Sequence, residues 1–274
     1  TGVKPGTWSV SVPSTGLVTT DFTLMGKGLA QTGTSQYITS PTALSTTGIV
    51  AAVNGAVLIN GSTTTASTTI NDYKVNNATA GTWYSTIQAA VDAATAGDVI
   101  NVCAGTYNET VLVDKRLTIN GAGATTIINT TVATTKAMLV SASGSSALDR
   151  LVIRNMAFTG PGSSSGTDAI SFEPSSAGAY VTVENVSISG HGQAVHFRSG
   201  TMNDAKVLNS TLNGNGFGVR VASAVTRMDG LTIDGCTLNN NSSSAISVNP
   251  SGTVSNVNTN YTISNTTLAN NSTS

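Results

Sequence analysis

Short segments in which apolar and polar residues alternate recur along the second half of the chain. The longer ones read LVIRNMAF at 151–158, VTVENVSI at 181–188, AKVLNSTL at 205–212, LTIDGCTL at 231–238 and YTISNTTL at 261–268. Shorter ones follow four of them: AISF at 169–172, AVHF at 194–197, GVRV at 218–221 and AISV at 245–248. Alternation of this kind predicts short strands that each bury one face.

These segments return at a regular spacing. Equivalent positions at Asn155, Asn185, Asn209, Gly235 and Asn265 lie 24 to 30 residues apart. A period in this range is typical of stacked repeats. Strands that return once per turn in the same order predict an all-β protein, built as a parallel β-helix.

The same pattern assigns the buried side chains. The inward positions of the longer segments are Leu151 and Ile153, Val181 and Val183, Ala205 and Val207, Leu231 and Ile233, and Tyr261 and Ile263. Those of the shorter segments are Ile170 and Phe172, Val195 and Phe197, Val219 and Val221, and Ile246 and Val248. Neighbouring strands lie about 4.8 Å apart, so equivalent side chains from successive coils stack directly on one another.

Asn155, Asn185, Asn209, Gly235 and Asn265 also share a chemical property. The chain must bend after each long strand, and Asn and Gly both tolerate the left-handed backbone conformation that a bend requires. We therefore interpret these five residues as a structural turn ladder, in which stacked amides bond to each other, and not as a functional site.

Three regions are predicted along the chain. Residues 1–75 form a β-rich N-terminal region that serves as a subunit contact or donates a strand. It includes a hairpin at 48–59, because an Asn-Gly pair at its centre favours a tight two-residue turn. Residues 76–83 are a polar linker, and residues 84–274 are the β-helix.

A short helix is predicted at 84–96, as a cap on the N-terminal end of the β-helix. Ile87, Ala90, Val91 and Ala94 fall on one helical face, with Ser85 or Thr86 as the N-cap and Gly97 as the stop. A cap is needed because an open coil exposes unpaired backbone groups and an apolar cross-section.

The passage STIQAAVDAATAGDVINVCAGTYNETVLVDKRLTINGAG resembles the start of right-handed parallel β-helices of the pectin-lyase-like superfamily. The similar positions are Gly97, Asp98, Gly105, Thr106, Tyr107, Glu109, Lys115, Leu117, Ile119 and Gly121. With the repeats behind it, the resemblance covers about 85–274. It implies the fold and leaves the activity open, because one fold hosts many functions.

The catalytic motifs of that superfamily's enzymes are missing from the sequence. The paired aspartates of polygalacturonases and the signatures of pectate lyases and pectin methylesterases are absent, although Gly190-His191-Gly192 resembles one piece of the polygalacturonase pattern. We therefore predict no catalytic residue and lean against an enzyme.

Four outward residues are candidates for binding a sugar. His196 and Arg220 should be neighbours on successive coils, where they would bind an anionic sugar or simply be adjacent polar surface residues. Glu184 and Asp234 should lie two coils apart, about 9–10 Å, near the upper limit for an inverting glycosidase pair. Leu208 between them argues against a cleft for sugar cleavage.

Composition narrows the range of partners and cofactors. Charged residues make up 9% of the chain and the net charge is −1, which is too little positive charge for a nucleic-acid-binding surface. The sequence contains no run of about 18 apolar residues, so no membrane span is predicted. The two cysteines, Cys103 and Cys236, are far apart and are predicted to be buried free thiols; without a Cys/His cluster, no metal or other cofactor is expected.

The missing catalytic motifs, the low charge and the many Ser, Thr and Asn residues favour a secreted or cell-surface structural protein. The chain starts at Thr1 without a Met, so we expect that a signal peptide has been removed or that the chain is a fragment. It would be a subunit of a filament, surface layer or adhesin that associates with itself by head-to-tail or strand-addition contacts. One alternative is a protein that binds or cleaves polysaccharides. Another is a viral fibre or tailspike component, which would form a parallel trimer.

Overall fold

A computed structural model describes residues 58–59, 62–63, 74–133, 135–164, 166–175, 177–249 and 260–272. Most of the predicted β-rich region at 1–75 lies outside these residues, as does the Asn-Gly turn of the predicted hairpin. Within that region, strands β1 (Leu58–Ile59) and β2 (Ser62–Thr63) pair antiparallel.

The remaining described elements follow a repeating order. The first are β3 (Val75–Asn77), β4 (Thr82–Tyr84), α1 (Ile87–Ala93), β5 (Val99–Val102), β6 (Gly105–Tyr107), β7 (Val111–Val113), β8 (Thr118–Gly121), β9 (Thr126–Asn129) and β10 (Lys136–Val140). The central coils contain β11 (Leu151–Thr159), β12 (Asp168–Phe172), β13 (Ala177–Ser189), β14 (Gln193–Phe197), β15 (Gly200–Leu208), β16 (Thr211–Leu212) and β17 (Phe217–Val221). The last are β18 (Val225–Met228), β19 (Gly230–Asp234), β20 (Thr237–Asn239), β21 (Ser244–Val248), β22 (Asn260–Ser264) and β23 (Thr267–Ala269).

Successive coils pair in parallel and build two sheets. The six-stranded sheet has the order β21-β17-β14-β12-β10-β7, and the large sheet has the main path β22-β19-β15-β13-β11-β8-β5-β3-β4. A further row of the large sheet contains β6, β9, β16, β20 and β23, joined through β11 and β13. The predicted all-β parallel β-helix is confirmed.

The inward columns form one hydrophobic core between the sheets. Ile153, Val183 and Val207 are fully buried at equivalent positions of β11, β13 and β15. In the six-stranded sheet, the rings of Phe172 and Phe197 stack with their centres 5.2 Å apart. The predicted inward positions are therefore correct for the central coils.

Helix α1 covers the N-terminal end of this core, as predicted, but it is shorter than the predicted span of 84–96. Thr86 is its N-cap and accepts a hydrogen bond from the Ala89 N–H. The predicted apolar face is confirmed, because Ile87, Ala90 and Val91 are buried within the core.

Side chains around α1 satisfy exposed backbone groups at this end. The Gln88 amide donates to the Leu112 carbonyl at 3.3 Å and accepts from the Leu112 N–H at 2.6 Å, so it closes part of the free edge of β7. The Glu109 carboxylate accepts hydrogen bonds from the backbone N–H groups of Ile87 and Gln88.

Two predictions for this end of the molecule are wrong. Residues 76–83, predicted to be a linker, contribute to an antiparallel hairpin of β3 and β4 that joins the large sheet, and Asn77 is buried there. The Asn77 amide donates to the Asp98 carboxylate at 2.7 Å. The polar residues around Asn77 in the sequence gave no indication of this partner. Cys103, predicted to be buried, is exposed, whereas Cys236 is buried; both are free thiols.

Candidate functional site

The turn ladder adopts the conformation that its residue types predict. The backbone φ angle is 57° at Asn155, 50° at Asn185, 48° at Asn209, 64° at Gly235 and 50° at Asn265. Asn185 Nδ2 donates to Asn155 Oδ1 at 2.6 Å, and Asn155 Nδ2 donates to Asn120 Oδ1 at 2.7 Å. These residues therefore hold the bends and link successive coils.

A second amide ladder lies at another corner of the coil, and sequence reasoning missed it. It consists of Asn215, Asn241 and Asn271. Asn241 Oδ1 accepts from the Asn215 N–H, and Asn241 Nδ2 donates to the Leu212 carbonyl, both at 3.0 Å. Spacings of 26 and 30 residues, equal to those of the turn ladder, were the signal that could have revealed it.

His191 lies at one end of the second amide ladder, and its backbone N–H donates to Asn215 Oδ1 at 3.1 Å. The imidazole is fully buried, and neither of its ring nitrogens has a hydrogen-bond partner. Burial lowers the pKa of His191 to about 4, although the charge of Asp168 opposes the shift. The ring is therefore neutral at neutral pH and part of the core, which does not suit it to move protons to a substrate.

The candidate pair His196 and Arg220 is brought together in register, but the two side chains make separate contacts. His196 is buried, and its Nδ1 lies 3.0 Å from Asp168 Oδ2. The Arg220 guanidinium lies 4.6 Å from the centre of the Phe217 ring. His196 is thus not the accessible surface residue that the sequence predicts.

We call the charged group around this histidine the Asp168 cluster, which consists of Lys136, Asp168, Glu173, His196 and Arg198. Glu173 is paired with Lys136, and Arg198 lies 3.7 Å from Asp168 and 3.6 Å from Glu173. Burial alone would raise the pKa of Glu173, but the hydrogen bonds from Lys136 and Ser171 lower it overall. The members come from β10, β12 and β14 or the residues just after them, so stacking of coils creates the cluster.

Two acceptors of this cluster remain unsatisfied. Asp168 Oδ1 and His196 Nε2 are buried and have no hydrogen-bond partner. When the histidine donates its Nδ1 proton to Asp168, Nε2 carries a lone pair, as a general base does. Ser171 lies beside His196 in register, but its hydroxyl donates to Glu173 at 3.1 Å. The arrangement therefore offers a buried base with no nucleophile bonded to it.

Glu184 and Asp234 lie two coils apart, with Leu208 between them in register. Asp234 Oδ1 accepts from Ser264 Oγ at 2.7 Å and from Asn265 Nδ2 at 2.8 Å. Those hydrogen bonds lower the pKa of Asp234, which suits a carboxylate that anchors the next coil.

Arg154 and Glu184 are neighbours in register, where the sequence suggests a cross-strand ion pair. No ion pair joins these two described residues. Arg154 Nε instead donates to Asn120 Oδ1 at 3.1 Å, because the ladder of amides lies within its reach on the other side.

The last described coil differs from the others in exposure. Tyr261 is 41%, Ile263 53% and Leu268 49% exposed, although their equivalents in the preceding coil are buried. Strands β22 and β23 each pair with one neighbour, β19 and β20, in the part of the chain that the structure describes. This coil therefore offers both an apolar surface and unpaired strand edges.

Neither a metal centre nor a membrane-spanning helix is found in the described residues. No group of three His, Cys, Asp or Glu side chains there is placed to hold a metal ion. None of the helical segments in that part of the chain has the length and apolar character that crossing a bilayer requires.

Comparison with known proteins agrees with this architecture. A family model described as a right-handed β-helix region matches residues 117–274, more than half of the chain. No curated protein has significant similarity to the chain. The chain belongs to the right-handed β-helix family, and the resemblance to pectin-lyase-like β-helices is confirmed at the level of the fold.

Proposed function

We propose that the protein is a secreted or cell-surface structural subunit that associates with copies of itself through the last described coil. The observation that carries this proposal is the exposure of Tyr261, Ile263 and Leu268 in columns that are buried elsewhere. Strand edges beside an apolar surface favour pairing with another chain. Because this is the last coil that the structure describes, a contact through it would add to the stack of described coils.

The outer surface supports a structural role over a catalytic one. Among the sugar-binding candidates, Asp234 anchors the next coil and His196 is buried against Asp168. The sparse charge and the many Ser, Thr and Asn residues suit an extracellular scaffold. A filament, a surface layer and an adhesin are all assemblies that such a subunit could build.

Electron microscopy and light scattering of the purified full chain test self-association. Ile263→Asp introduces a charge into the apolar surface, whereas Thr262→Asp places the same charge on the other face of the same strand. Burial of an isoleucine side chain contributes about 1.5–3 kcal/mol, so Ile263→Asp should raise the concentration needed for assembly by roughly tenfold to a hundredfold. Thr262→Asp should raise it less.

Each outcome bears on the proposal. Monomers of the unaltered chain at every concentration and salt condition contradict it. If Ile263→Asp and Thr262→Asp change the concentration needed for assembly equally, the contact lies elsewhere and the role of the last coil is contradicted. A discrete mass of three chains supports the fibre or tailspike alternative instead.

A second candidate function is polysaccharide binding at the outer face of the six-stranded sheet. It is favoured by the half-exposed guanidinium of Arg198, which lies on this face 3.6 Å from Glu173 and 3.7 Å from Asp168. A guanidinium binds the carboxylate of an acidic sugar through charge-assisted hydrogen bonds. Affinity electrophoresis on a panel of acidic and neutral polysaccharides tests it: binding that Arg198→Ala and Arg220→Ala weaken supports it, and no retardation on any of them removes it.

A further inference from the structure

Among the described residues, the main path of the large sheet ends on two edge strands, β22 and β4. Strand β22 pairs only with β19, and strand β4 pairs only with β3, in the part of the chain that the structure describes. Both edges expose large apolar side chains: Trp83 on β4 is 46% exposed, and Ile263 on β22 is 53% exposed.

The directions of these two edge strands agree. Strand β3 runs antiparallel to β5, and β4 runs antiparallel to β3. Two reversals cancel, so β4 runs in the same direction as β5 and hence as every coil strand up to β22. If two copies stack end to end in the same orientation, β4 of one copy meets β22 of the other as a parallel strand. This is the pairing that the sheet already uses between its coils.

The register of that pairing follows from the columns of the sheet. One column contains Thr82, Asn77, Ile100, Ile119, Ile153, Val183, Val207, Ile233 and Ile263. The next contains Trp83, Asn76, Asn101, Asn120, Arg154, Glu184, Leu208, Asp234 and Ser264. Continuing both columns into a second copy sets Thr82 beside Ile263, and Trp83 beside Ser264.

The six-stranded sheet does not offer a comparable edge at the N-terminal end. Both backbone groups of Leu112 on β7 are already bonded to the Gln88 amide. A second copy would therefore meet, on β4, an edge with no partner strand among the described residues, and a closed position on β7. This difference selects the large sheet for strand addition.

We propose that copies of this chain join head to tail, with β4 of one copy added in parallel to β22 of the next. This inference rests on the proposed self-association and names its partner surface. A contact between two different ends of the same chain is heterologous, so it repeats without closing and generates a filament. An end-to-end contact between two β22 edges would instead give a closed dimer.

Engineered disulfides in the full chain distinguish these arrangements. Adjacent strands lie about 4.8 Å apart, within the Cα separation of about 4.4–6.8 Å that a disulfide requires. In a Cys103→Ser background, which removes the exposed native thiol, we would make Trp83→Cys and Ser264→Cys as separate proteins. Each is oxidised alone and after mixing, and the products are separated on a non-reducing gel.

The proposal predicts a disulfide-linked dimer in the mixture and only monomers in each protein alone. Ser187→Cys, on the exposed outer face of a central coil, is the matched control and should not link to Ser264→Cys. Dimers from Ser264→Cys alone overturn the proposal in favour of a closed dimer. Assembly of the unaltered chain without linking in the mixture also overturns it, while absence of assembly overturns the proposed function itself.

Discussion

The backbone N–H of His191 donates to the side-chain oxygen of Asn215 at 3.1 Å, yet the imidazole of His191 makes no hydrogen bond of its own. Asn241 and Asn271 continue the ladder on the other side of Asn215, and each of them donates its amide to a backbone carbonyl of the preceding coil. His191 therefore occupies a ladder position without the side-chain donor that the asparagines use there.

We predict that His191→Asn stabilises the protein. The new amide would lie where it can donate to the Phe158 carbonyl, because Phe158, Ile188 and Leu212 are equivalent in register and the asparagines bond to Ile188 and Leu212. In the preceding coil, the residue at the equivalent position is Pro161, which has no N–H. The new amide oxygen would therefore not accept the backbone hydrogen bond that Asn215 accepts from His191, and the expected gain comes from the amide nitrogen. Urea unfolding at pH 7.5 should show a higher midpoint for the variant than for the unaltered chain.

The same variant should make stability less dependent on pH. The pKa of His191 is lowered from 6.5 to about 4 in the folded chain, so the unfolded chain binds a proton first as the pH falls. Folding therefore loses stability between pH 6.5 and 4, by about 3 kcal/mol at the lower end. The difference in unfolding free energy between His191→Asn and the unaltered chain should grow over that range; a constant difference would contradict the prediction.

A pair of substitutions at Asn185 separates the two roles of the turn ladder. Asn185→Gly keeps the left-handed backbone accessible and removes the amide bond to Asn155, whereas Asn185→Ala loses both. We expect Asn185→Gly to cost about 0.5–1.5 kcal/mol for the hydrogen bond, and Asn185→Ala about 1–2 kcal/mol more for the backbone. Thermal unfolding measures both, and equal losses would show that backbone conformation contributes nothing.

Sequence periodicity was sufficient to predict the coils, because each inward column repeats the same chemistry at an almost constant spacing. It also placed the turn ladder, since Asn and Gly share a conformational tolerance that few residues have. It did not reveal the hairpin of β3 and β4, where short polar strands lack alternation and the buried amide of Asn77 donates a hydrogen bond to the carboxylate of Asp98.

The candidate site was harder to predict because its partners lie on different coils. His196 was placed on an outward column, but Asp168 starts β12 one coil earlier, and only the register brings their side chains together. Nothing in the local sequence of either residue signals burial. The exposed inward residues of β22 were predicted as core, because their pattern is identical to that of covered coils.

The Asp168–His196 pair provides a fourth prediction. Removing one partner leaves the other buried without its hydrogen bond, so Asp168→Ala and His196→Ala should each destabilise the fold by about 1–3 kcal/mol. The double variant should cost less than the sum, with a coupling of about 0.5–3 kcal/mol. A double-mutant cycle in urea measures it, with Ser247→Ala, on the last strand of the same sheet, as a control expected to change little. Additive effects would show that the contact does not couple the coils.

Arg150 joins three coils through a single side chain. Its Nε donates to Thr182 Oγ1, one terminal nitrogen donates to Asp204 Oδ2, and the other donates to the carbonyls of Val181 and Asp204, all at 2.6–2.7 Å. The guanidinium also lies 5.9 Å from the centre of the Tyr180 ring.

A lysine at this position keeps the charge but cannot reproduce the planar set of donors. We therefore expect Arg150→Lys to lose stability by about 1–3 kcal/mol, because it leaves several partly buried acceptors unpaired. Arg227→Lys is the matched control, since Arg227 pairs with Asp229 on the exposed surface and should lose less than about 1 kcal/mol. Chemical unfolding followed by circular dichroism measures both variants. Equal losses would show that the contacts of Arg150 across the coils contribute no more than a surface ion pair.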